Sequence, residues 1–302
     1  MPTTEPILEI RDLWVSRIDS GEAVLKGVSL AVCPGEMLGI VGESGTGKTV
    51  LALALLGVLP ETLRVSSGSA RFRGDELLWK PEAELRRLRG MEISMILTGG
   101  RDALNPMETV GTQIRHVIRS HLDLEKAAQE QLVIDVLDSV GIPDAEERAK
   151  AYPHELSGGM AQRILIAQAM ICEPQLLIAD EPTSDLDVTV AAQVLDRMKA
   201  LIDQRGSASM LLTRDLGIVA ENCDTVAVLG DGELVEFGPV ESFFARPTHL
   251  ASQALVNDAL IALTHEATGI PSDAYHGATV SAEEEGYSEI APGHYVKSGN
   301  HG

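Results

Sequence analysis

The stretch that most constrains this chain is Gly42-Glu43-Ser44-Gly45-Thr46-Gly47-Lys48-Thr49. It fits the pattern G-x-x-x-x-G-K-[S/T], follows the apolar run Met37 to Val41, which reads as a buried strand, and opens into Val50 to Leu56, which reads as a buried helix. A strand, a glycine-rich turn and a helix start in that order are what a phosphate cradle requires. Glycine lets the backbone curl until successive N–H groups point inward, and the helix start adds the positive end of its dipole. Within such a cradle Lys48 reaches the terminal phosphates and the Thr49 hydroxyl takes a Mg²⁺ position. A structural turn with the same letters is the competing reading, and the strand and helix on either side argue against it.

The rest of the chain narrows the kind of nucleotide-binding protein. Its 302 residues suffice for one large α/β domain with appendages or for two small domains. Hydrophobic residues make up 44% but aromatics only 3%, so Leu, Val, Ile and Ala must fill the core. A net charge of −21 argues against nucleic acid as a partner, because neutralising phosphates needs a basic surface. Cys33, Cys172 and Cys223 show no C-x-x-C spacing and read as buried free thiols of a reducing compartment. The start, Met1-Pro2-Thr3-Thr4-Glu5, lacks the basic and apolar regions of a signal peptide. No apolar run nears the roughly 18 residues of a membrane span. The expectation is a cytosolic chain, or one docked on a membrane through protein contacts.

In chain order, Ile7 to Val15 and Val24 to Val32 read as strands, giving a β-rich edge before the phosphate loop. Ser66-Ser67-Gly68-Ser69 reads as a lead into a short strand at Ala70 to Phe72, Glu82 to Arg89 as a helix, and Met91 to Leu97 as a buried strand. Val110, Ile114, Val117 and Ile118 mark one helix, and Leu132, Val133, Val136, Leu137 and Val140 a second, closed by Gly141 and Pro143. These form a helical insert in an α/β chain, followed by a helix over Ala161 to Ile171 and a short apolar strand, Gln175 to Glu181. Gly230-Asp231-Gly232 reads as a hairpin turn. From Glu266 onward Gly, Ser and Glu dominate without periodicity, which predicts a loosely packed tail.

Two further stretches carry chemistry. An apolar strand ending in Asp180 and Glu181 could be charge-capped and nothing more. In a chain with a phosphate loop, however, a parallel sheet puts strand C-termini on the phosphate side. Asp180 is then a candidate Mg²⁺ ligand, and Glu181 the catalytic base for an attacking water. Leu156-Ser157-Gly158-Gly159-Met160 could be only a capped helix start, but Ser157, Gly158 and Gly159 also make a second anion site. One chain does not need two such sites for one nucleotide, which points to a composite site with each subunit contributing half.

With these residues assembled, the chain resembles the ATP-binding subunits of ABC transporters, within them the oligopeptide, dipeptide and nickel importer group. The resemblance runs from Ile7 to about Leu263 and rests on the phosphate loop, LSGGM at Leu156 to Met160, LLIADEPTSDLDVTV at Leu176 to Val190, LNP at Leu104 to Pro106, and Tyr152-Pro153-His154-Glu155. It implies an α/β cassette: a β-rich N-terminal subdomain, a RecA-like core, a helical insert at about 100–172 within an ATPase domain of 1–265, and a C-terminal extension at 266–302. It further implies ATP and Mg²⁺ as cofactors and a head-to-tail pairing with a second ATPase subunit. The pair drives two transmembrane permeases, served by an extracytoplasmic solute-binding protein, from the cytoplasmic membrane face. Permease coupling helices are expected to dock near Leu97 to Gln113.

Where the family places a Gln that contacts Mg²⁺ and water, this chain has Thr98. Where the family places a His against the γ-phosphate, it has Arg214. Where an aromatic stacks on adenine, the register gives Arg17, and Trp14 is expected to share the strand face of Ser16 and so not to substitute. Losing one positioned donor costs on the order of 10²–10³ in rate. The expectation is an own site that binds ATP, with Arg17 stacking on adenine and Arg214 pairing with phosphate, but turns over slowly, while an intact signature completes the partner's site. A mainly structural, gating subunit without turnover of its own is the alternative. A soluble ATPase of DNA repair or translation would call for a coiled-coil insert or a second cassette, and neither is present. The family's Cys-bearing end segment has no counterpart here, since no Cys follows Cys223, so no iron–sulfur cluster is expected. Ile290 to Val296 resembles the end of that segment, which suggests a shortened version packed on the core. The eight His residues form no metal-like pair and read as ordinary surface or interface residues.

Overall fold

The computed structural model describes residues 5–184, 186–263 and 286–297. They form two compact units, one of residues up to Leu85 and from Ala208 onward, the other from Arg86 to Ser207. The first unit opens with β1 (Leu8–Arg17), β2 (Ala23–Val32), β3 (Met37–Val41), α1 (Lys48–Leu55), β4 (Leu63–Phe72) and β5 (Asp75–Glu76). β1 pairs antiparallel with β2 and β4, giving the order β2-β1-β4-β5. Leu8 and Ile10 face inward, then the alternation slips at Asp12, which adopts φ 46 as the register shifts against both neighbours. Such a bulge turns the next side chains to new faces. A further register shift falls between Trp14 and Val15, so Trp14 is 36% exposed while Ser16 is 8% exposed, contrary to the expectation that they share a face.

The slip at Asp12 explains a second difference from the sequence reading. Ser66 to Ser69 belong to β4 itself and are not its approach. Gly68, at φ 107, lies against the bulge so closely that a Cβ there would sit 2.4 Å from the Asp12 carbonyl oxygen. A glycine required by close backbone approach disguised a strand as a loop.

α2 (Glu82–Leu88) leads into the second unit, which continues with β6 (Ile93–Ile96), α3 (Val110–His121), α4 (Lys126–Ser139), α5 (Ala145–Arg148), α6 (Gly158–Met170), β7 (Leu176–Asp180) and α7 (Val188–Arg205). The expected helical insert falls within it. β6 and β7 are parallel, from Ile93 opposite Leu176 to Ile96 opposite Ala179. Val110, Ile114 and Ile118 make the buried stripe of α3 at a spacing of one turn. α6 starts at Gly158, three residues before the expected Ala161, because the Ser157 hydroxyl accepts the Met160 N–H and closes the first turn.

The chain then returns to the first unit with β8 (Ala208–Thr213), α8 (Leu216–Asn222), β9 (Thr225–Gly230), β10 (Glu233–Pro239), α9 (Val240–Ala245), α10 (Leu250–Leu263), β11 (Tyr287–Ala291) and β12 (His294–Lys297). The order here is β11-β12-β10-β9-β3-β8. β3 is parallel to β8 and β9, and every one of its residues is buried, as a continuous apolar run between two neighbours should be. Val41, Leu216, Val219, Val228, Val235 and Phe243 pack as one core cluster. Cys33, Cys172 and Cys223 are free thiols, half-buried and not fully so as expected.

The tail departs from expectation in part. Residues 264–285 lie outside the described residues, but β11 and β12 form a hairpin whose inner strand pairs with β10, Glu236 opposite Val296 and Phe237 opposite Tyr295. His294 is not a surface residue. Its Nε2 lies 2.7 Å from Glu236 Oε1, with the two side chains 1% and 0% exposed. A buried carboxylate needs donors, and Glu236 also accepts the Thr248 N–H at 3.0 Å and the His249 N–H at 2.8 Å. Burial pushes the Glu236 pKa up, but the hydrogen bonds from His294, His249 and Thr248 outweigh it and hold the group below its ordinary value. Tyr287 Oη donates to the Leu234 carbonyl at 2.5 Å and Lys297 pairs with Glu233 at 3.0 Å, so the hairpin is tied at several points.

Candidate nucleotide site

The residues expected to form the site divide between the units. Gly42 to Thr49, Arg17 and Arg214 lie in the first; Thr98, Ser157, Gly158, Gly159, Asp180 and Glu181 lie in the second.

In the first unit, α1 differs from the other helices that begin near candidate residues. Thr109, Ser157, Asp187 and Asp215 cap α3, α6, α7 and α8 with side-chain oxygens. α1 has Gly47 at its N-cap position, with no side-chain cap and no acid in its first turn. With neither a capping side chain nor a carboxylate at its start, α1 meets an incoming anion with the positive end of its dipole, which fits a phosphate. Gly47 sits at φ 104, and a Cβ there would meet Leu25 Cδ2 at 2.5 Å; one at Gly42 would meet the Leu229 carbonyl at 2.3 Å. Gly45, at φ 86, faces open space. The buried Lys48 ammonium donates to the Gly42 carbonyl at 2.5 Å and the Glu43 carbonyl at 2.9 Å, and Thr46 Oγ1 donates to the latter at 2.9 Å. These bonds shape the loop around its cation. Ser44 and Thr49 are exposed.

Two of the departures from the family pattern also lie in this unit. Val41 pairs with Thr213, so Gly42 and Arg214 leave β3 and β8 side by side at the same end of the sheet. Arg214 is exposed there, one residue before Asp215, whose side chain accepts the Gly217 and Ile218 N–H groups. Arg17 ends β1 half-exposed, 3.7 Å from Glu22. Trp14 is committed elsewhere: its Nε1 donates to Asp12 at 2.6 Å, beside Gly27.

In the second unit, β6 and β7 deliver Leu97-Thr98 and Asp180-Glu181 to one end of their shared ladder. Asp180 is buried, and Thr98 is exposed ahead of Gly99 and Gly100, both in the left-handed region. Glu181 is held at φ 45, a conformation costly for a residue with a Cβ. Its carbonyl accepts both the N–H and the hydroxyl of Ser184, at 3.3 and 3.1 Å, which fixes that turn. Strained backbone of this kind clusters where a side chain must be aimed. At the start of α6, Gly158 has no heavy atom within 4 Å of a Cβ position, so the signature presents an open face.

Two residues that matter here escaped the sequence reading. Gln113, buried on α3, accepts the Asn105 N–H and donates to the Asn105 and Glu108 carbonyls, and so folds the Leu104-Asn105-Pro106 loop. Gln162, buried on α6, donates to the Leu97 and Pro182 carbonyls. The available signal was a carboxamide at an otherwise apolar helix position.

Comparison with known proteins agrees with this assembly. A family model described as ABC transporter matches residues 25–184. A probable peptide ABC transporter ATP-binding protein of Sinorhizobium fredii is 44% identical over 259 residues, covering 85% of this chain and 77% of the relative. The oligopeptide transport ATP-binding protein OppD of Salmonella typhimurium is 43% identical over 253 residues, covering 83% and 75%. Among solved structures, cbiO1 of Clostridium perfringens, part of the ABC transporter complex cbiONQ, superposes with a TM-score of 0.67 at 25% identity, over 86% of this chain and 98% of that one. A dimeric ATP-binding cassette bound to ADP and Pi shares the fold at a TM-score of 0.70 and 21% identity, over 77% and 98%. With its uncapped phosphate loop, acid-ended strand and signature helix, the chain belongs to the ABC transporter family of ATPases.

Proposed function

We propose that this chain is the ATP-binding subunit of an importer for peptides or related small solutes. It pairs with a second ATPase on two permeases at the cytoplasmic membrane face, fed by an extracytoplasmic solute-binding protein. The observation that carries the reading is the identity of 42–44% to relatives named as peptide, oligopeptide and dipeptide transport ATP-binding proteins, over more than three quarters of the chain. In this reading Lys48 and the leading N–H groups of α1 hold the β- and γ-phosphates. Thr49 and Asp180 supply the oxygen donors a Mg²⁺ ion prefers, the remaining positions falling to phosphate and water. Mg²⁺, when bound, would neutralise charge developing on the transferred phosphoryl group. Glu181 takes a proton from the attacking water, and Ser157, Gly158 and Gly159 close on the triphosphate held by the partner.

The own site is slow in this reading, because Thr98 and Arg214 replace two groups that position water and phosphate, and Arg17 replaces the adenine platform with a guanidinium plane. Arg214 supports binding, since it leaves the sheet beside Gly42 with a fixed positive charge. The test is reconstitution in liposomes with two permeases and a second ATPase, sought in the neighbouring reading frames. ATP-driven uptake of a labelled peptide is expected. Stable nucleotide binding without permease association or uptake would overturn the reading.

A further inference from the structure

One residue on the buried face of α6 is not apolar. Gln162 is 0% exposed, among Ala161, Ile164, Ile166 and Ala167. Its Nε2 donates to the Leu97 carbonyl and to the Pro182 carbonyl, each at 3.3 Å, while its Oε1 is buried without a hydrogen-bond partner. If packing were its only task, Met would fill nearly the same volume without desolvating an unmatched carbonyl oxygen. The uncompensated oxygen therefore marks the two bonds made by the amide nitrogen as the reason for the residue. Those bonds reach the two segments that leave the β6–β7 ladder together: Leu97 directly precedes Thr98, and Pro182 directly follows Glu181. Pro182 has no N–H with which to tie its own turn, so its carbonyl is the available handle.

We infer that Gln162 is a positioning residue for ATP hydrolysis: one carboxamide clamps the Leu97 and Pro182 carbonyls and so fixes Thr98 and Glu181 relative to each other. The inference rests on the reading of Glu181 as the base and Thr98 as a nucleotide-lining residue. Its placement is local to the second unit, in which all five residues lie.

The first test needs no nucleotide. In the full-length chain, Gln162→Met and Gln162→Glu should each speed amide hydrogen exchange at least tenfold in both 97–100 and 181–184, with exchange in α3 and α4 unchanged. Met removes the donor, and Glu sets a carboxylate against two carbonyls, so agreement between them excludes a simple packing defect. Unchanged exchange in either segment, or acceleration throughout the unit, overturns the clamp. In the assembled transporter, single-turnover formation of ADP on this chain's own photolabelled phosphate loop should slow at least tenfold in both variants, with analogue affinity within twofold of the parent. Glu181→Gln is measured beside them. If Glu181→Gln leaves single turnover intact while exchange responds as expected, the base assignment falls and the clamp stands. If Glu181→Gln stops turnover and the Gln162 variants leave it unchanged, the clamp falls and the base stands.

Discussion

Gly158→Asp should separate folding from function at the signature, with opposite signs. Gly158 is outside the left-handed region, and a Cβ built on it meets no heavy atom within 4 Å. A side chain there costs no packing and removes freedom from the unfolded chain, a gain of about 0.4–1 kcal/mol. An Asp in the first turn of α6 also meets the positive end of the helix dipole, for about 0.3–1 kcal/mol. The variant should therefore be more stable by about 1 kcal/mol. In the proposed sandwich the same helix start meets the partner's triphosphate, where two unit charges about 4 Å apart at an effective dielectric of about 20 repel by about 4 kcal/mol. That is on the order of 10³ in affinity. Thermal denaturation of the isolated chain and steady-state ATP hydrolysis by the reconstituted transporter read the two effects. A melting temperature at or above the parent's is expected, with hydrolysis nearly stopped, whereas Glu181→Gln should leave a substantial fraction because, in the proposed reading, it disables a site already slow. The reverse ranking would show that Thr98 and Arg214 support catalysis and that the own site is not degenerate. A melting temperature several degrees lower would refute the argument that the signature face is open.

Lys48→Ala removes the cation at the phosphate loop and should weaken binding of a labelled ATP analogue at the own site by on the order of a hundredfold; equal binding by variant and parent would sink the assignment. A cysteine at Thr98, which is exposed, should cross-link to a permease loop in the assembled transporter, and capture of only the other ATPase would count against docking there. His294→Ala removes one donor to a buried carboxylate, a loss of about 2 kcal/mol. Exchange protection of β11 and β12 should then drop roughly thirtyfold. Because the folded pKa of Glu236 is depressed, its contribution is fully present above the ordinary carboxylate value of 4.5 and is lost as pH falls through the lower folded value. Hairpin protection in the parent should thus hold down to about pH 4.5 and fail below it, and protection failing instead near neutrality would be inconsistent with this account.

The phosphate loop was legible because its chemistry fixes residue types at fixed spacing and its flanks are long apolar runs: β3 and α1 both start and stop within two residues of the reading. The signature was legible for the same reason, and Ser157, read as a helix cap, does cap α6, although the helix body was expected only from Ala161. What escaped depends on contacts that no local pattern records. The bulge at Asp12 exists because Gly68, in another strand, admits it. Gln162 looks like a flaw in an apolar helix until the two carbonyls it joins, 65 and 20 residues away, are brought to it. His294 reads as a surface residue because the carboxylate that buries it lies in β10.

That last separation has a consequence for how the chain is made. Glu236 and His294 are 58 residues apart, so at a synthesis rate of about 5–20 residues per second the strand carrying the carboxylate waits roughly 3–12 s for the ring that closes over it. During that interval β10 has an open edge, and an open edge is a template for pairing with the wrong strand. A carboxylate on it is the kind of charged residue that deters such pairing. The same Glu236 that would guard the nascent edge against mispairing becomes, once folded, the socket for the β11–β12 hairpin.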